Sequence, residues 1–410
     1  MAEKAVLLEK YADVALKIGV NIQPGQPLVI QSPISAADFA RVLARRAFSA
    51  GAGNVFIEWG DEAFTRIKTE DAPVEALKFV PEHSVKLMEE YQQLGAAFLQ
   101  IYSPNPDAFT GVDPERMATR NKANAAALEN FKNTMMKGDV SWNLISTPAP
   151  EWAQKVYPDL SLEDAVEKLW DAIFSATRIH EEDPVEAWKE HGNNLHQKLE
   201  YLNTKKYKKL HYKAPGTDLT VELPEGHKWI GGSLENSKGI EYTPNIPTEE
   251  VFTMPKKDGV NGTVTSTKPL NYNGTTIDHF SLTFKEGKAV EFTAETGEET
   301  LKKMLDIDEG AAFLGEVALV PHDSPISNTN IIFYNTLFDE NASCHFAVGS
   351  AYPMTLEGGT AMSQEQLAEA GANYSLSHVD FMIGSAELDI DGVTADGQTE
   401  PLFRNGNWAF

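Results

Sequence analysis

Residues 304–410 hold sixteen aspartates and glutamates, three histidines and a single basic side chain, Arg404. Several of these carboxylates stand inside apolar, strand-like runs, where an uncompensated charge costs several kcal/mol or more. Whatever fold this segment adopts must bring a cation to them, and local Lys or Arg cannot be that cation. A bound divalent metal is the natural candidate. The run Ser377-His378-Val379-Asp380-Phe381 suits one, because alternate residues of a strand share a face. His378 and Asp380 then present an imidazole nitrogen and a carboxylate oxygen side by side. An isolated His-x-Asp is more often a hydrogen-bonded surface pair. The apolar Phe381-Met382-Ile383 that follows argues for a buried strand in which both side chains need partners.

Glu316 lies within Phe313-Leu314-Gly315-Glu316-Val317-Ala318-Leu319-Val320. On a regular strand Leu314, Glu316 and Ala318 face the same way. A glutamate in such a run is rarely unpaired, so Glu316 is either a metal ligand or half of a buried ion pair with a distant base. His345 follows the polar stretch Asp339-Glu340-Asn341-Ala342-Ser343-Cys344 and reads as a ligand supplied from a loop at a strand end. Glu340 is then a ligand, an outer carboxylate that orients His345, or simply exposed. Cys344 and His345 point to opposite faces of a strand, which excludes them as a nucleophile–base pair and leaves Cys344 a small buried side chain. In Asn245-Ile246-Pro247-Thr248-Glu249-Glu250-Val251-Phe252 the adjacent carboxylates Glu249 and Glu250 either face an exposed turn or serve different partners. In the second case one binds metal and the other acts as a base.

The pattern points to a metal-dependent hydrolase, and other chemistries lack support. The sequence has no GxxxxGK[ST] loop, no GxGxxG after a strand, no HExxH helix and no GxSxG elbow. One cysteine excludes an intrachain disulfide and an all-thiolate zinc site, and it suggests a cytoplasmic protein. A net charge of −25 argues against nucleic acid or an anionic membrane as partner. No apolar run approaches the roughly 20 residues needed to span a bilayer.

At 410 residues the chain is long enough for two or three domains. Its first part alternates helices and strands. Helices are expected near 3–19, 35–48 (with Ser35 and Asp38 as a capping box), 82–94, from 113, 161–178 and 184–203. Strands are expected near 27–30, 55–57, 97–102 and 140–145. This rhythm predicts an α/β domain with a mostly parallel sheet covered by helices on both faces. After a basic run at Lys205–Lys209 the chain becomes β-rich. Strands are expected at 218–223, 263–267, 279–284, 289–292, 313–320 and 330–334. Short helices are expected near 298–305 and 364–370, the latter capped by Ser363 and Gln366. The expected division is an N-terminal α/β domain over 1–205 and a β-rich α+β metal-binding domain over 206–410.

Taken together, the segments around Glu249-Glu250, Gly315–Val320, Phe338–His345 and Ser377–Asp380 resemble the motifs of a metallo-aminopeptidase family. It is the family of bacterial aminopeptidases S and T, also called thermophilic aminopeptidases. The resemblance spans nearly the whole chain in length and order. It implies metal ligation by Glu250, Glu316, His345, His378 and Asp380, and an active-site tyrosine at Tyr352. Glu249 is a candidate general base, and Glu340 a further candidate ligand. The resemblance also implies two divalent ions (Zn, Co or Mg), peptide substrates with a free N-terminus, and a homodimer. A di-metal amidase or esterase acting on small molecules is the alternative.

Overall fold

The computed structural model describes residues 2–136, 138–272 and 275–410. The chain forms two compact units, one of residues up to Gly192 with Ser233–Pro247, the other of Asn193–Gly232 with Thr248–Phe410.

In the first unit four parallel strands lie in the order Asn54–Gly60, Pro27–Pro33, Ala97–Ile101, Trp142–Ile145. A parallel sheet is covered on both faces, which is why Leu28-Val29-Ile30 and Ala97-Phe98-Leu99 are uninterrupted buried runs. Val29 and Phe98 pack with Met88, Phe131 and Val140. The returning Ser233–Pro247 segment runs beside the last strand, where Leu144 N–H donates to Pro244 O at 2.7 Å and Ile246 N–H to Leu144 O at 3.0 Å. The expected cap at Ser35 does not form. Ile34–Ala36 makes a 3₁₀ turn first, and the helix Ala37–Ser49 starts from Ala36 without a side-chain cap.

The second unit is built on two antiparallel sheets. The larger, of nine strands, runs from Leu270–Tyr272 through Thr275–Lys285, Val260–Thr265, Thr217–Glu222, Lys209–Ala214, Asp389–Val393 and Thr399–Arg404 to Asn407–Trp408. Lys288–Thr296 adds to it beside Thr275–Lys285. The smaller sheet has the order His378–Met382, His345–Gly349, Leu314–Leu319, Val251–Thr253, Ile230–Gly231. Its Val317, Leu319, Phe346, Val348 and Phe381 join a buried cluster with Tyr212, Leu219, Val264, Phe280 and Leu282 of the larger sheet. Phe346 meets Tyr212 at 5.0 Å between ring centroids, and Phe381 meets Phe280 at 5.6 Å. Each fully buried aromatic of this kind contributes roughly 1.5–3 kcal/mol.

The helices Glu298–Leu305 and Gln364–Glu369 form as expected, and Ser363 and Gln366 make a reciprocal capping box. The expected strand at 330–334 does not form. Asn330 and Tyr334 take left-handed backbone angles, and the Asp339 carboxylate draws the Phe333 and Asn335 amides into a turn at 2.8 and 3.1 Å. No helix among the described residues is long and apolar enough to cross a membrane.

Candidate metal centre

The smaller sheet turns one face to the core and the other to a cluster of polar side chains. Its register fixes which residues share the second face. Glu316 stands opposite Ala347, and Ala347 in turn opposite Asp380; Ala318 stands opposite His345, and Gly349 opposite His378. Glu316, His345, His378 and Asp380 therefore project together, separated by the small residues Ala318, Ala347 and Gly349, which leave space between them. Val317, Phe346, Val348, Val379 and Phe381 alternate onto the apolar face. Glu250 enters from just before the Val251–Thr253 strand, the neighbour of the Glu316 strand.

Leu314 does not share the face of Glu316. An irregularity between Leu314 and Glu316 pairs Leu314 with Val348, so Leu314 packs in the core. Gly315 is the extra residue, and a Cβ there would lie 2.4 Å from both the Gly349 and Ser350 carbonyls. The bulge turns Glu316 away from the core that Leu314 fills.

His345 Nε2 lies 3.2 Å from Glu250 Oε2 and 3.5 Å from Glu316 Oε1. His378 Nε2 lies 3.5 Å from Glu316 Oε2 and 3.4 Å from Asp380 Oδ1. Two groups result, Glu250–Glu316–His345 and Glu316–His378–Asp380, each with its donor atoms within 4.8 Å of one another. Glu316 belongs to both and offers one oxygen to each. The rings are oriented from behind. His345 Nδ1 lies 3.0 Å from Ser343 O and His378 Nδ1 2.8 Å from Ser350 O. A carbonyl only accepts, so both Nδ1 atoms carry the hydrogen and both Nε2 atoms face the carboxylates.

This donor set fits a metal. Imidazole nitrogens and carboxylate oxygens converge at 3.2–3.5 Å, an arrangement that calls for protons or cations between them. Among the described residues, no lysine or arginine pairs with Glu250, Glu316, Glu340 or Asp380 within 4.0 Å. Burial first, then the Asp380 and Glu250 charges, push the Glu316 carboxyl up to about 7 against the bond to His345. Burial and the same neighbours push Glu340 well up. Burial opposes a charge on His378, yet Asp380 and Glu316 raise it to about 9. Asp380 is held below the ordinary range by His378 despite its burial. Such opposed shifts in one cluster are typical of functional sites.

The remaining expected residues gather around this cluster. Tyr352 stacks obliquely on His378, ring centroids 4.7 Å apart, and burial with the nearby carboxylates raises its hydroxyl far above the ordinary value. It is therefore a neutral donor. Glu249 is buried, and its N–H donates to Asn341 Oδ1 at 2.9 Å. Asn341 is fully buried and also donates to Leu337 O at 3.0 Å, tying the Glu249-Glu250 segment to the turn that carries Glu340. Sequence reasoning missed Asn341, although it sits in the same polar stretch as Glu340. It also missed Asn373, whose amide donates to Gly310 O and Gly349 O at 2.8 and 2.6 Å and fixes the approach to His378. Cys344 faces the core, where burial pushes its thiol up to about 12.

Gly349 offers a direct test of the register. Its φ is +112°, and a Cβ would lie 2.1 Å from Ser377 O, just before the strand that begins at His378. Gly349→Ala is expected to cost roughly 2–4 kcal/mol of stability and to displace His378. Thermal melting together with metal content checks this; an unchanged melting temperature and full metal content would contradict the geometry.

A mixed nitrogen–oxygen donor cluster on the open face of a sheet defines a metal-dependent hydrolase as the class of protein. A family model described as thermophilic metalloprotease (M29) matches residues 4–408. The chain is similar to Aminopeptidase 2 of Geobacillus stearothermophilus, 57% identical over 403 residues that cover 98% of each chain. Aminopeptidase AmpS of Bacillus subtilis is 50% identical over 403 residues, again 98% of each. Among solved structures, wild-type AmpT from Thermus thermophilus superimposes with a TM-score of 0.93 at 43% identity, covering 98% of this chain and 99% of that one. The chain belongs to the thermophilic metalloprotease family.

Proposed function

We propose that the chain releases the N-terminal residue of peptides at a centre of two divalent cations. Glu250 and His345 would hold one, His378 and Asp380 the other, with Glu316 shared between the two groups. The chain is a metal-dependent aminopeptidase, a hydrolase. The observation that carries the two-ion reading is Glu316, whose two oxygens face two different histidines.

Cations held there supply a Lewis acid for the scissile carbonyl and a water acidic enough to attack near neutral pH. The side chains do the rest. Ser343 and Ser350 carbonyls keep both Nε2 atoms turned inward. Glu249 would take the proton from the attacking water, and Glu340 would serve as a further ligand or as an outer carboxylate that orients His345. Tyr352, kept neutral, donates its hydrogen to the oxyanion that develops on the substrate carbonyl. The surplus of carboxylates also suits the free ammonium of an unblocked peptide.

Catalysis is assigned to the region 206–410, and dimerisation or shaping of the cavity to 1–205, with a homodimer as the working state. Nitrogen and oxygen donors without thiolate accept zinc, cobalt or magnesium. A single, buried cysteine suits the cytoplasm. The test compares matched peptides with free and acetylated N-termini. An aminopeptidase turns over the free peptide and rejects the blocked one. Equal turnover of both would favour a di-metal amidase or esterase.

A further inference from the structure

Four strands of the smaller sheet bring one cross-strand row to the face that carries the candidate ligands. Ile230 stands opposite Phe252, Phe252 opposite Ala318, and Ala318 opposite His345. Residues directly opposite one another on antiparallel strands share a face, so Ile230 and Phe252 lie on the side of His345. Their neighbour Val251 turns the other way and packs in the core with Val317 and Phe346. Val251 and Thr253 are buried, whereas Phe252 between them and Ile230 beside it are only half-buried. Ala318, between Phe252 and His345, carries a single methyl group and leaves room between the two larger side chains. The Phe252 ring meets Tyr352 edge-on, with ring centroids 6.1 Å apart, and Tyr352 in turn lies over His378 at 4.7 Å.

A phenylalanine and an isoleucine left half-exposed on this face contribute less to folding than they would in the core. They supply an apolar wall at the edge of a polar cluster. Small-molecule sites use that combination to hold a ligand's carbon skeleton while a few polar groups fix its orientation. The chemistry of an unblocked peptide says which part of it meets the wall. Its ammonium and its scissile carbonyl are joined to one Cα, and that Cα carries the side chain of the residue to be released. The carboxylates attract the ammonium, and Tyr352 donates to the carbonyl oxygen. Phe252 follows Glu250 by two residues and touches Tyr352, which puts it beside the Cα that links the two groups.

We propose that Phe252, with Ile230 behind it, selects the residue to be released and favours large apolar side chains. A leucine or phenylalanine side chain rests on the Phe252 ring above Ala318. Glycine leaves the wall bare. An acidic side chain loses hydration against the wall and meets carboxylates of its own sign. Phe252 performs no chemistry; it determines specificity, and this role rests on the aminopeptidase reading.

The test is the steady-state turnover of p-nitroanilides of leucine, phenylalanine, alanine and glycine by the metal-loaded enzyme. Their leaving group is constant, so the comparison reads the N-terminal side chain alone. The wild type is expected to favour the leucyl over the glycyl substrate by roughly 100-fold or more in kcat/KM. Phe252→Ala is expected to lower kcat/KM for the leucyl and phenylalanyl substrates roughly tenfold or more, and for the glycyl substrate by less than about threefold. Phe252→Leu keeps an apolar wall and is expected to hold the leucyl-to-glycyl ratio within about threefold of the wild type. Ile230→Ala is expected to lower that ratio roughly threefold, and it carries the test if Phe252→Ala does not fold. An equal loss on all four substrates in Phe252→Ala would mean that Phe252 merely supports Tyr352, and it overturns the proposal. So does a wild type indifferent to the N-terminal side chain, or a ratio unchanged in both alanine variants. Acetylated counterparts of the four substrates separate this proposal from the reading beneath it. Turnover of blocked and free substrates alike refutes the aminopeptidase reading whatever Phe252 does. Rejection of the blocked substrates together with an unchanged ratio refutes the role of Phe252 alone.

Discussion

Glu316→Ala is expected to lower kcat/KM by on the order of 10³-fold or more while leaving a folded protein. One side chain contributes to both donor groups, an oxygen facing His345 at 3.5 Å and the other facing His378 at 3.5 Å. Loss of the several kcal/mol that a bound cation contributes to the transition state corresponds to a factor of that size. The same reasoning separates Glu316 from its neighbours. Asp380 belongs to one group and Glu250 to the other. Their alanine variants should each retain one equivalent of metal, whereas Glu316→Ala should retain neither in full. Metal analysis by mass spectrometry, alongside circular dichroism to verify folding, distinguishes these outcomes. A Glu316→Ala enzyme with normal metal content and turnover within tenfold of the wild type would sink the bridging role.

The ligand strands were legible because their chemistry survives any detail of folding. A histidine and an aspartate two apart, or a glutamate in an apolar run, share a face with their partners whenever the segment is a strand. The order of the strands was not legible. That Glu250 meets His345 depends on the sheet placing Val251–Thr253 beside Leu314–Leu319 and that strand beside His345–Gly349, a pairing of segments many residues apart. The bulge at Gly315 was also hidden, so counting alternation back from Glu316 placed Leu314 on the wrong face. The groups that orient the histidines are the backbone carbonyls of Ser343 and Ser350, which side-chain patterns cannot reveal. At 330–334 the apolar Ile331-Ile332-Phe333 outweighed the flanking asparagines in a propensity reading. The carboxylate of Asp339, several residues on, decided the backbone instead.

Chelation is expected to remove activity completely and to reverse the pH dependence of stability. Without cations, the Glu316 carboxyl titrates near 7, raised by burial and then by Asp380 and Glu250, against an unfolded value near 4.5. A carboxyl raised in the folded state prefers its proton there. Its favourable contribution is therefore present below about 4.5 and is lost as pH rises through 7. For Glu316 alone the loss amounts to about 3 kcal/mol at most. His378, raised to about 9, acts in the same direction, its contribution present below 6.5 and lost as pH rises through 9. Asp380, lowered, works the opposite way but only in the acid range below its ordinary pKa. Between pH 5.5 and 8.5 the metal-free protein should therefore melt at progressively lower temperature. The metal-loaded protein should gain over the same interval, because its ligands bind cations only when deprotonated. The gap between the two melting temperatures widens with pH, and differential scanning calorimetry on both forms measures it. A metal-free protein more stable at pH 8.5 than at 6 would mean that the clustered carboxylates find their counter-charge within the protein and not in a bound ion.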